Sequence, residues 1–154
     1  MSSSKEVMEF VEYDMDFLNR SWGWLNDPEI KKLTLTSDFT RSEQLKFFHS
    51  IPSRKDFRIW GMKYGHVPIG AVGLKNITSD YAEYFGYIGD KSYWGLGLFK
   101  YIFEYIADNC KSMEISVVYL HVTTSNTMAI KAYKKSGFIV TQEESDVFRM
   151  ELIL

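Results

Sequence analysis

The chain has 154 residues, 45% of them hydrophobic and 25% charged, with a formal net charge of −2. That balance fits one self-sufficient domain spanning residues 1–154 and argues against a disordered chain or a nucleic-acid binder, since no block of Lys and Arg is present. Cys110 is the only cysteine and the three histidines (His49, His66, His121) lack ligand spacing, so no disulfide and no metal are expected. Residues 1–6 do not read as a leader and no apolar run reaches spanning length; a cytoplasmic protein without a membrane partner is expected.

Val7, Phe10, Val11 and Tyr13 read as a first strand. Asp14 or Asp16 can cap a helix that buries Phe17, Leu18, Trp22 and Leu25. Asn26-Asp27-Pro28 ends it, and Asp27 with Pro28 starts a short helix over residues 29–33. Thr40-Arg41-Ser42-Glu43 is a capping box ahead of a helix carrying Leu45, Phe47 and Phe48. Residues 57–62 and 67–74 alternate as two strands joined at Tyr64-Gly65-His66.

Residues 82–89 form the next strand, which runs into Asp90-Lys91-Ser92-Tyr93-Trp94-Gly95-Leu96-Gly97-Leu98-Phe99. Two glycines just before a helix start allow backbone N–H groups to converge on an anion, helped by the positive end of the helix dipole; a strain-relieving turn is the plainer alternative. Phe99, Ile102, Phe103, Ile106 and Cys110 then mark one face of an amphipathic helix. Residues 115–122 are dense in β-branched and apolar side chains, the pattern of a strand buried on both faces. Asn126 caps a last helix with Ala129, Ile130 and Tyr133 inward and Gly137 as its stop. Residues 138–142 and 147–154 give two final strands. The order predicts an α/β (α+β mixed) architecture, a central mostly antiparallel mixed sheet flanked by helices, and not a doubly wound fold.

Two of these stretches carry a family resemblance. Tyr93-Trp94-Gly95-Leu96-Gly97-Leu98-Phe99 resembles the pyrophosphate loop of the Gcn5-related N-acetyltransferases (GNAT), and Asn126-Thr127-Met128-Ala129-Ile130-Lys131-Ala132-Tyr133-Lys134-Lys135-Ser136-Gly137-Phe138 is similar to that family's Asn, Ala, Tyr and Gly-Phe series. The resemblance is strong over residues 67–154 and implies the GNAT acyl-CoA N-acyltransferase fold, with acetyl-CoA as co-substrate. Trp94 stands where Gln or Arg is usual, as in the branch with a Tyr-Trp-Gly run. Phe99 stands where Gly or Ala is usual; its place on the apolar helix face predicts that it packs inward.

By the same resemblance the acetyl group passes to a primary amine by direct attack on the thioester. Backbone groups of Tyr87, Ile88 and Gly89 would hold the pantetheine arm, and Trp94, Gly95, Leu96, Gly97, Leu98 and Phe99 would surround the pyrophosphate. Asn126 would touch the coenzyme arm, or serve only as a helix cap. Tyr133 would protonate the departing thiolate, a role that suits a phenol. Glu83 is the expected general base, with His121 as the competing candidate because imidazole titrates near neutrality.

Trp22-Gly23-Trp24-Leu25-Asn26-Asp27-Pro28-Glu29-Ile30 resembles the opening of acetyltransferases acting on nucleotide-linked amino sugars, and also of those acting on ribosomal-protein N-termini. Trp24, Asn26 and Asp27 are therefore candidate acceptor-binding residues, and Lys31, Lys32, Arg41 and Arg54 candidate phosphate contacts. The resemblance implies a small-molecule amine as partner, first of all a nucleotide-linked amino sugar. A protein N-terminus, a polyamine, or a non-catalytic acyl-CoA-binding module is the alternative. Aromatic side chains in the N-terminal half offer either a surface for a homodimer or further core packing.

Overall fold

A computed structural model of the protein describes residues 7–154, so the leader reading of residues 1–6 lies outside the described residues. Among the described residues seven strands form one sheet in the order β1-β2-β3-β4-β5-β7-β6. They are β1 (Met8–Glu12), β2 (Arg58–Tyr64), β3 (Val67–Lys75), β4 (Tyr81–Ile88), β5 (Val117–Thr123), β6 (Ile139–Glu144) and β7 (Val147–Ile153). The helices are α1 (Met15–Asn26), α2 (Pro28–Leu33), α3 (Arg41–Ser50), α4 (Phe99–Ser112) and α5 (Thr127–Lys135). The mixed, mostly antiparallel sheet flanked by helices is therefore present, with β4 and β5 as its parallel pair.

Local chemistry sets most boundaries. Asp14, rather than Asp16, caps α1 by accepting from Phe17 N at 3.1 Å, while Asp16 pairs with Arg20. The Thr40–Glu43 capping box opens α3. Gly65 (φ +53°) and His66 (φ +73°) turn β2 into β3, since two successive positive φ angles match the right-handed twist of a hairpin. Ser145 and Asp146 do the same between β6 and β7. Because β4 and β5 run parallel, α4 is the crossover that such a pair requires.

The core lies between the sheet and α4–α5, where Ile69, Val72, Leu74, Ile106, Val118, Leu120 and Met150 are 0–1% exposed. Each such side chain contributes about 1.5–3 kcal/mol. A smaller cluster of Tyr13, Phe17, Leu18 and Ala71 seats α1 on the opposite face.

Three expectations about packing change. Trp22 is exposed and meets Phe39 edge-on at 5.4 Å; Ser21 takes the inward place, its hydroxyl bonded to Phe17 O, Tyr13 OH and Tyr87 OH. In α3 the buried residue is Gln44, which donates to Leu18 O at 2.8 Å. β5 is buried on one face alone, because Val118, Leu120 and Val122 point into the core whereas His121 on the other face is exposed. That half-open face bears on the chemistry.

Candidate active site

β4 and β5 pair only from Tyr81↔Val117 to Glu83↔Tyr119. β5 continues to Thr123 against β7, and β4 to Ile88 against β3, so the two strands part beyond Glu83 and Tyr119. Gly89 N donates back to Ile69 O at 2.6 Å. The antiparallel alternation then turns the backbone groups of Tyr84, Gly86 and Ile88 toward the gap, and those of Phe85 and Tyr87 toward β3. Of the three residues expected to hold the pantetheine arm, Ile88 thus faces the gap, while Tyr87 spends its backbone groups, and Gly89 its N–H, on the sheet. Ile88 O is itself occupied by the Trp94 indole, at 2.7 Å.

Gly89 has a packing reason to be glycine. A Cβ there would come within 2.2 Å of the Trp24 ring. Trp24 also meets Tyr87 edge-on at 6.2 Å, so this candidate acceptor residue is a wedge beneath the end of β4. Asp27 caps α2 by accepting from Glu29 N and Ile30 N, and pairs with Lys91 at 3.0 Å. Lys91 also reaches Glu29 at 2.9 Å. Asn26 donates to Trp22 O. The Trp24–Asp27 segment therefore braces the loop that follows β4.

That loop leaves a row of donors open. Trp94 N donates to Lys91 O, and the next backbone donors with protein acceptors are Tyr101 N and Ile102 N, both on Leu98 O. Among the described residues the N–H groups of residues 95–100 have no protein acceptor, and Leu98 offers no side chain to cap α4. Gly95 (φ +76°) and Gly97 (φ +69°) hold the left-handed conformation this turn needs. A Cβ on either would meet no atom within 4 Å, so both positions are open on the outside. Leu96 is exposed and Leu98 buried. Open N–H groups at a helix start form an anion cradle. Phe99 contributes its backbone there, while its ring stacks on Phe103 at 5.8 Å and meets Tyr133 at 4.9 Å and Tyr84 at 5.8 Å.

Tyr133 projects from α5 into this aromatic cluster beside β4, 6.3 Å from the Tyr84 ring. Burial pushes its phenol up to about 12, so the hydroxyl stays protonated at working pH. Asn126 caps α5 through Oδ1 on Ala129 N at 3.3 Å.

On the other face, the two candidates for the base are partners. Glu83 is 7% exposed; its Oε1 accepts from Asn76 Nδ2 at 3.0 Å and its Oε2 lies 2.9 Å from His121 Nδ1. Lys75 Nζ stands 3.8 Å from the same Oε2. A carboxylate can only accept, so His121 carries its proton on Nδ1 and leaves Nε2 for another partner. His121 lines a cavity of about 250 Å³ together with Gln142, Glu144, Ser145, Val147 and Arg149. Tyr119 meets the His121 ring edge-on at 6.0 Å and carries the Arg149 guanidinium 3.9 Å above its own ring. Asn76, Lys75, Tyr119 and Arg149 were not singled out in the sequence. The signal available was topological: parallel β4 and β5 set Glu83 beside Tyr119, two residues from His121 on the same face.

A gap between parallel strands, leading to an anion cradle and lined by a phenol and an imidazole–carboxylate pair, suits acyl transfer from a phosphate-bearing carrier. Residues 20–138 match the acetyltransferase (GNAT) family. The chain belongs to that family. Its activity class is the one implied by the two sequence motifs, transfer of acetyl from acetyl-CoA to an amine. Acetyltransferase PseH of Campylobacter jejuni subsp. jejuni serotype O:23/36 (strain 81-176) is 25% identical over 150 residues, 94% of this chain and 91% of that protein. The crystal structure of C. jejuni N-acetyltransferase PseH in complex with acetyl coenzyme A aligns with a TM-score of 0.73 at 18% identity, covering 95% of this chain and 98% of that one. Spermidine N-acetyltransferase from Vibrio cholerae, in complex with CoA and spermine, aligns with a TM-score of 0.85 at 19% identity and 96% of both chains. At those identities the structural likenesses establish the fold. Among the described residues of this GNAT acetyltransferase, no group of three or more His, Cys, Asp or Glu could hold a metal, and no helix is long and apolar enough to cross a membrane.

Proposed function

We propose that this acetyltransferase acetylates the amino group of a nucleotide-linked amino sugar, by direct attack of the amine on the thioester of acetyl-CoA. The observation that carries the reaction is the parting of β4 and β5, with open backbone groups on one side and the open N–H groups of residues 95–100 at its end. The pyrophosphate rests on that cradle, Gly95 and Gly97 giving the backbone its approach and Trp94 fixing the loop to Ile88 O. The backbone groups of Gly86 and the Ile88 N–H hold the pantetheine arm and thioester, and Asn126 lies alongside through its side-chain amide.

The amine reaches the gap from the face of Glu83 and His121. His121 Nε2 takes its proton while Glu83, fixed by Asn76, orients the imidazole and stabilises the imidazolium that forms. Glu83, first named as the base, acts through His121 because both of its oxygens are already occupied. Tyr133 then gives a proton to the departing thiolate.

The acceptor class rests on the likeness of residues 22–30 to enzymes of nucleotide-linked amino sugars. Trp24, Asn26 and Asp27 serve that acceptor indirectly, by bracing the loop beside it. Thiol release with nucleotide-linked amino sugars, polyamines and N-terminal peptides tests the reading, with expected turnover on the first. Turnover on spermidine alone would move the assignment to polyamines; CoA binding without thiol release would make the chain a binding module.

A further inference from the structure

We propose that the cleft at the start of β2 is an anion subsite that holds the diphosphate of the acceptor, an inference that rests on the amino-sugar reading above. The cleft, of about 620 Å³, is lined by residues 51–55 and 57–59, including Arg54, Lys55 and Arg58. One acid, Asp56, stands among these three cations and lies 3.4 Å from Arg54. Among the described residues Lys55 and Arg58 have no carboxylate partner; Arg58 donates to Phe57 O at 2.8 Å, which holds its guanidinium over the loop. In a chain of net charge −2, this is a local excess of positive charge.

The cleft is joined to the reacting groups by a continuous row of contacts. The Arg54 guanidinium lies 4.4 Å over the Phe57 ring, and Phe57 stacks on Phe85 of β4 at 5.5 Å. Lys75 Nζ stands 5.7 Å from the Phe85 ring and 3.8 Å from Glu83, which holds His121. β2 and β4 are two strand spacings apart, roughly 10 Å. A sugar ring laid along half-buried Phe85 can therefore present its amine to His121 while its phosphates lie toward Lys75 and Arg54. Guanidinium groups suit this task because their fork matches a phosphate's oxygens. The same cations repel a polyamine, so the cleft selects as well as binds. Of the other candidate phosphate contacts, Lys31 is paired with Asp38 and Arg41 is bonded to Gln44 and Asn19.

The probe is UDP, titrated calorimetrically into protein saturated with CoA so that the coenzyme loop is already occupied. The expected result is binding that weakens at least tenfold in Arg54→Gln/Arg58→Gln, is largely retained in Arg54→Lys/Arg58→Lys, and is not seen with uridine. UDP binding that is equal in the wild type and the double Gln variant, or absent from the wild type, overturns the subsite. Lys55→Gln, at an exposed side chain, supplies a second variant should the double change disturb folding; at least a threefold loss is expected, and no loss counts against the subsite. Turnover separates the two layers. Acetylation of a nucleotide-linked amino sugar with an unchanged acceptor KM in these variants removes the subsite and keeps the acceptor reading. UDP binding that depends on Arg54 and Arg58, without acetylation of any nucleotide-linked sugar, keeps the subsite and removes that reading.

Discussion

Residues 95–100 present open backbone donors from one short stretch, shaped by two left-handed glycines and a helix start, and this is the stretch proposed to meet the coenzyme. The face around Glu83 is made differently: Asn76 from the turn after β3, Glu83 from β4, Tyr119 and His121 from β5 and Arg149 from β7 converge through side chains. The first region tolerates changes of side chain and fails when its backbone is distorted. The second keeps its backbone and fails when one partner of a pair is lost. Substitutions in the two regions should therefore leave different kinetic signatures.

The largest effect is expected at Tyr133, which meets Phe99 of the first region and Tyr84 next to Glu83 in β4. Tyr133→Phe should lower kcat by about 10²–10³-fold, within the range of a lost general acid, with acetyl-CoA affinity unchanged. Single-turnover rates and equilibrium binding measured together check this, and a matching loss in both would make Tyr133 a packing residue.

On the acceptor face, His121→Gln and Glu83→Gln should each lower kcat/KM for the amine by about 10²-fold. Their effects should be far from additive in the double variant, since the two groups act as a unit. His121 faces Glu83, Tyr119 and Arg149, with Lys75 on the far side of the carboxylate, and the acidic limb of the pH–rate profile should vanish in His121→Gln. An acidic limb that survives in His121→Gln but vanishes in Glu83→Gln would return the base to Glu83.

In the coenzyme loop, Gly97→Val places a β-branched residue at φ +69°. That backbone strain, on the order of 1–3 kcal/mol, should raise the KM for acetyl-CoA by about tenfold and leave the amine's pH profile alone. Leu96→Ala, at an exposed side chain between the glycines, should change neither kinetic constant more than about twofold.

The smallest effect concerns stability. Burial raises the phenols of Tyr13, Tyr84, Tyr87 and Tyr133, the last from 10.0 to about 12. A raised folded pKa means the folded state holds its protons more tightly, so their contribution is complete below pH 10 and declines as pH rises toward 12. Urea midpoints should be level from pH 7 to 9 and fall above 10; a midpoint still level at pH 11 would contradict the burial of these rings.

How much of each region the sequence disclosed follows from the same contrast. Gly95, Gly97 and the periodic face from Phe99 to Cys110 are adjacent in the chain, and local chemistry with helical spacing marks them without tertiary knowledge. The inward packing of Phe99 was readable for that reason. The Glu83–His121 contact joins residues 38 apart and needs the parallel register of β4 and β5, which no local pattern carries. Trp24, Asn26 and Asp27 stood out as polar and aromatic residues at a turn, yet a helix cap and a ring under Gly89 use the same residue types as a sugar site. Ser21 in place of Trp22 was hidden similarly, because its burial depends on hydroxyls contributed by Tyr13 and Tyr87.

The most direct measurement is the initial rate of CoA thiol release by the wild-type protein across matched amines, with mass spectrometry of the product. Release and an N-acetylated product are expected with a nucleotide-linked amino sugar, at a kcat/KM at least tenfold above that for spermidine or an N-terminal peptide. Thiol release with none of these amines, or spermidine turnover equal to or above that of the nucleotide-linked sugar, would contradict the account.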